Sequence, residues 1–158
     1  MQYRASLNPR PKDPKKAQIL HFDFGIGDPV TPEPRLASTS TILGDGTFRW
    51  KVYPVETVCS EKLHTMIARG ANNSRAKDVY DLAFLLPQCN TSNLKTALAR
   101  TFSYRETPMP ESLHAVLITT DTNLLESGWK KAIAAFGKKV DFRETLFTVL
   151  QFLRDNSI

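Results

Sequence analysis

From Pro54 onward the apolar residues fall at helical spacing, whereas before it they alternate. Val55, Val58, Cys59, Leu63, Met66 and Ile67 follow an i, i+3, i+4, i+7 pattern, which predicts an amphipathic helix. Pro54 opens it at a place where a missing N–H is no loss, and Gly70 ends it. Ala71-Asn72-Asn73-Ser74 is turn composition, with Asn73 or Ser74 available to cap a second helix from about Arg75 to Leu86, stopped by Pro87. A third stripe, Leu94, Ala97, Leu98, Thr101 and Phe102, predicts a helix capped by Thr91 or Ser92. Ser103 to Glu111, with Pro108 and Pro110, reads as a linker. Leu125, Trp129, Ala132, Ile133 and Phe136 then share one side of a helix over Asn123–Phe136. Phe142, Leu146, Val149, Leu150 and Leu153 line a last one, begun by an Asp141/Glu144 capping box. Such stripes are core rather than cofactor contacts.

Upstream, Leu20, Phe22, Phe24 and Ile26 alternate with Ile19, His21, Asp23 and Gly25, the period of a strand. It is expected to hairpin with Gln2–Leu7 through a solvated loop carrying Lys12-Asp13-Pro14-Lys15-Lys16. Gly44-Asp45-Gly46 is a turn, and Thr47 to Tyr53 alternates as a short strand with Phe48, Trp50 and Val52 on one face. Leu36 to Val52 holds no recognisable chemistry. The expected fold is therefore α+β. Residues 1–53 should form a small, incomplete antiparallel or mixed sheet of about three strands, and residues 54–158 a compact bundle of about five helices.

Three charges sit where charge is costly. Lys62 projects between Val58 and Met66, so its ammonium must snorkel outward or meet an anion. Asp78 and Asp81 share a face with Leu82 and Leu85, which sets like charges one turn apart unless a cation lies opposite. A short inter-helix turn makes the helices antiparallel neighbours, so Lys62 or Arg69 could supply that cation. A structural ion pair fixing helix register and an active-site pair both fit this pattern. Asp23, an acid in mid-strand, either faces solvent or holds something such as a hard metal ion. Asp28, in GDPVTPEP, reads as a turn residue.

The series HFDFGIGDPVTP, YPVETVCSEKLHTMI and ANNSRAKDVYDLAFL resembles, in order and spacing, the later half of the AbiEii/AbiGii-type nucleotidyltransferase toxins, a branch of the polymerase-beta-like nucleotidyltransferases. That resemblance implies a toxin of a toxin–antitoxin or phage-defence pair. Such a protein would use Mg²⁺ and a nucleoside triphosphate to transfer a nucleotide to an acceptor such as tRNA, with an antitoxin as partner. It places Asp23 as a metal-binding acid and Lys62, in EKL, on phosphate. Asp78, in the RxKD motif, would orient Lys62 or the acceptor, with Lys77 before it. Arg69, Arg75 and Lys77 would form a cationic rim that draws a polyphosphate inward. The family's Gly-Gly or Gly-Ser turn and its DxD-type acid pair are absent from the sequence, so this chain alone is expected to be inactive. The alternative is a non-catalytic remnant of that fold that binds protein or RNA. A metal hydrolase is a weaker third, lacking any recognisable His/Asp cluster.

Composition narrows the setting. The chain has 158 residues, 41% of them hydrophobic, enough for one core. It shows no apolar run near the length of a membrane span and no apolar signal segment among the early prolines and cations, which points to the cytoplasm. Cys59 and Cys89 lack metal-site spacing and read as reduced thiols, and His21, His64 and His114 are too scattered to read as ligands. A net charge of +5 favours anionic partners, nucleoside triphosphates and RNA among them.

Overall fold

The computed structural model describes residues 3–7, 20–24, 27–42, 44, 46–136 and 140–158, and for residues 3–7 and 20–24 it describes strand pairing only. The loop carrying Lys12 to Lys16 and the side chain of Asp23 lie outside that description. Strand β1 (Tyr3–Leu7) pairs antiparallel with β2 (Leu20–Phe24), Arg4 opposite Asp23. Strand β3 (Arg35–Ser40) pairs antiparallel with β4 (Thr47–Val52), closed by a turn in which Thr41 N–H donates to Gly46 O at 2.9 Å. Among the described residues the expected single sheet is thus two separate hairpins and four strands. The sequence reading missed β3 because Arg-Leu-Ala-Ser-Thr-Ser has too weak an apolar alternation to register.

Six α-helices follow: α1 (Val55–Arg69), α2 (Ala76–Leu85), α3 (Thr91–Tyr104), α4 (Leu113–Thr119), α5 (Asn123–Ile133) and α6 (Phe142–Asp155). The α+β class holds, with one helix more than the stripes predict. Helix α1 packs on α3, α2 lies on α5 and α6, and α4 packs against α6 and α1. Their stripes meet in one core, where Leu63, Val79, Leu82, Leu98, Val149 and Leu153 are fully buried. Each such side chain contributes roughly 1.5–3 kcal/mol through burial. No helix among the described residues is long and apolar enough to cross a membrane.

Helix ends depart from expectation in instructive ways. Asn90, not Thr91 or Ser92, caps α3, its side chain accepting from Asn93 N–H at 3.0 Å. Asp141 caps α6 as expected, accepting from Glu144 N–H at 2.9 Å. Before α2, Asn73 is buried and accepts from Arg75 N–H at 3.0 Å, shaping the turn while Arg75 occupies the cap position without a capping bond.

The proline-rich segment after β2 is fastened to the helices. Thr31 N–H donates to Thr57 Oγ1 at 2.9 Å, and that hydroxyl donates back to Thr31 O at 2.7 Å. Arg100 reaches Thr31 Oγ1 at 3.1 Å. Gly27 has φ +109, a conformation that side chains rarely adopt, and a Cβ there would collide with the Tyr104 hydroxyl. Asp28 is no mere turn residue, since it pairs with Arg105 at 3.0 Å.

Candidate functional site

The turn between α1 and α2 sets the two helices side by side and brings the costly charges together. Lys62, whose side chain is 18% exposed, lies at the flank of the buried stripe of α1 rather than at its centre. It turns its ammonium onto α2. Its Nζ donates to Asp78 Oδ1 at 2.5 Å and to Asp81 Oδ2 at 2.8 Å. The cation demanded by two like charges one turn apart is therefore Lys62, not Arg69. Two further cations finish the network. Arg75 Nε stands 2.7 Å from Asp78 Oδ2, close enough to neutralise it but out of line for a hydrogen bond. Lys77 Nζ reaches Asp81 Oδ1 at 2.9 Å from one turn earlier on the same helix.

Protonation follows from this geometry. Burial works against the Lys62 ammonium, but hydrogen bonds to Asp78 and Asp81 outweigh it and hold its pKa above the ordinary lysine value. Burial likewise works against the Asp81 carboxylate, and hydrogen bonds from Lys62 and Lys77 overcome it, so its pKa lies below the usual range. Lys62 and Asp81 are thus both charged at neutral pH.

The network walls a cavity of about 510 Å³ lined also by Ser74, Gly128 and Lys131. Four cations (Lys62, Arg75, Lys77, Lys131) face it against two acids (Asp78, Asp81), a surplus that suits a polyanion. Arg69 is not among its lining residues. A smaller cavity of about 200 Å³, lined by Glu61, Thr65 and Arg105, adjoins the same Lys62, Arg75 and Asp78.

Lys131 escaped the sequence reading because a lysine in the last turn of a helix is ordinarily explained by the macrodipole. Arg105 escaped because it falls in the stretch read as a linker. Its guanidinium binds Asp28, contacts His64 Nδ1 at 3.3 Å and stands 3.9 Å from Glu61. A guanidinium can only donate, so His64 Nδ1 accepts and Nε2–H donates to Thr107 Oγ1 at 2.9 Å. Burial, then Arg105, lowers the His64 pKa below its ordinary value, in keeping with a neutral ring. Tyr53 joins this cluster through a short hydrogen bond to Glu61, and burial first, then Glu61, raises its pKa.

A divalent metal does not fit the two site aspartates. All four of their carboxylate oxygens already face Lys62, Arg75 or Lys77, and no group of three or more metal-ligating side chains forms among the described residues. Cys59 and Cys89 are free thiols with sulfurs 3.6 Å apart.

No curated protein and no solved structure matches the chain at significance. The family model described as the nucleotidyl transferase AbiEii toxin of a type IV toxin–antitoxin system matches residues 1–152. With that match spanning both hairpins and the Lys62–Asp78–Asp81 helix pair, the chain belongs to the AbiEii nucleotidyltransferase toxin family.

Proposed function

We propose that this chain serves nucleotidyl transfer from a nucleoside triphosphate to an acceptor when completed by the glycine turn and acid pair that its sequence lacks, with the end of a tRNA as the acceptor that the family resemblance suggests. The observation that carries this reading is the surplus of cations lining the cavity that Lys62 shares with α2 and α5. Phosphate transfer depends on positioning and on neutralising charge, which is what Lys62, Arg75 and Lys77 supply. Asp78 acts on Lys62, holding its ammonium toward the cavity at a fixed height along α1. Asp23, on β2, is assigned to Mg²⁺ by resemblance alone. Action in the cytoplasm and an antitoxin partner belong to the same reading.

Titration calorimetry of a nucleoside triphosphate into the protein tests it. Binding that disappears in Lys62→Met is expected. Absence of binding, or equal binding by Lys62→Met, would defeat the proposal.

A second reading is favoured by a specific observation: Lys62 already donates to two carboxylates. In that case the network is a helix clamp in a non-catalytic binding protein. Lys62→Met then lowers stability and leaves ligand affinity where it was.

A further inference from the structure

The β3–β4 hairpin displays an apolar face to solvent that its own fold does not use. Phe48 and Trp50 are 66% and 58% exposed, and Val52 beside them is exposed as well. Opposite them on the same face stand Thr39, Ala37 and Arg35. Arg49 and Lys51 alternate with the aromatic residues along β4, on the opposite face, and among the described residues β4 pairs with β3 alone, which leaves its outer edge without a strand partner there. The two strands hold three cations and no acid, and none of those cations joins an ion pair among the described residues.

We propose that this hairpin is a docking surface for single-stranded nucleic acid, with bases stacked on Phe48 and Trp50, phosphates met by Arg35 on that same face, and Arg49 and Lys51, which project from the opposite face, adding positive charge around the β4 edge. Residues two apart on a strand stand roughly 6.7 Å from each other. That is about twice the spacing of stacked bases, so a base can lie between the two rings. Stacking on aromatic side chains beside a cationic edge is how sequence-tolerant single-strand binders work, because every base has a π-face. Charge disfavours a second copy of this chain as the occupant, since each ribbon carries three cations and no acid and so offers the other no complementary charge. It equally disfavours a basic protein. A strand-adding protein partner would be held through the β4 edge and would not need the aromatic pair. The inference deepens the transferase reading by assigning the acceptor a landing place, yet it is measured without catalysis or nucleotide, so the two can fail separately.

The chain has two tryptophans. Trp129 is buried with its N–H on Val140 O at 2.8 Å, so Trp50 is the one that solvent and ligand reach. Titration with an oligouridylate of about eight nucleotides should quench fluorescence saturably at low salt and ever more weakly as salt rises. Anisotropy of a labelled oligonucleotide should show Trp50→Ala and Phe48→Ala each binding about fivefold or more weakly. Arg35→Gln, on the aromatic face, should flatten the salt dependence by about one phosphate contact. Both aromatic side chains are exposed, and circular dichroism confirms that the variants keep their fold. Absent or salt-independent quenching would overturn the proposal. So would unchanged affinity in Trp50→Ala, or sedimentation showing that the chain self-associates through this face.

Discussion

Lys62 illustrates what a single residue's placement fixes. Replacing it by Met leaves Asp78, whose side chain is only 5% exposed, with Arg75 alone. Breaking a buried pair from one side is strongly destabilising, and the partial exposure of Lys62 and the remaining Arg75 contact temper this to about 2–3 kcal/mol, seen as a lower denaturant midpoint at unchanged m-value. Asp81→Asn should act the other way on ligand. It removes one of the two acids competing with phosphate for Lys62, so triphosphate should bind more tightly by calorimetry, and weaker binding would contradict the cavity assignment. Linkage gives a third expectation. His64 has a folded-state pKa below its unfolded value of about 6.5. Its contribution is thus present above pH 6.5 and fades as pH falls through the folded value. Melting temperature should drop on acidification from about pH 6.5 toward 5, and that slope should be shallower in His64→Gln. Asp81 adds a loss only below the ordinary carboxylate range, and Lys62 one only above the ordinary lysine range, so neither interferes in that window.

At the scale of elements, what the sequence disclosed and what it hid have separate physical causes. The stripes of α1, α3 and α6 were legible because packing follows their 3.6 period: Leu94, Ala97, Leu98, Thr101 and Phe102 are all buried. The meeting of Lys62 with Asp78 and Asp81 was legible too, because a short turn leaves little choice of neighbour. Contacts between residues distant in sequence were not. Thr57, Ser60 and His64 widen the buried face of α1 beyond its apolar stripe. They do so because Thr31 bonds Thr57, Thr101 bonds Ser60 at 2.9 Å, and Phe102 meets the His64 ring edge-on at 4.8 Å. None of those partners announces itself locally. Caps carry a testable share of element stability. Asp141→Ala should remove the bond to Glu144 N–H and cost about 1 kcal/mol, a fall of roughly 2–4 °C in Tm for a chain of this size.

For the molecule as a whole, the β3–β4 hairpin and the helices draw on different resources. The helices share a core; the β3–β4 hairpin keeps its largest side chains in water. The last residues show how far a remote contact can reach within that core. Ile158 is buried, its N–H held by Leu153 O at 2.9 Å, while its own main-chain oxygen accepts from His114 N–H at 3.1 Å. Helix α4 has only seven residues, too few to persist in isolation. Its opening turn is thus secured by Ile158, some forty positions on by sequence. Clipping off Ser157 and Ile158 should therefore unwind a segment that neither residue adjoins in the chain, visible as fast amide exchange at His114 while α1 through α3 stay protected.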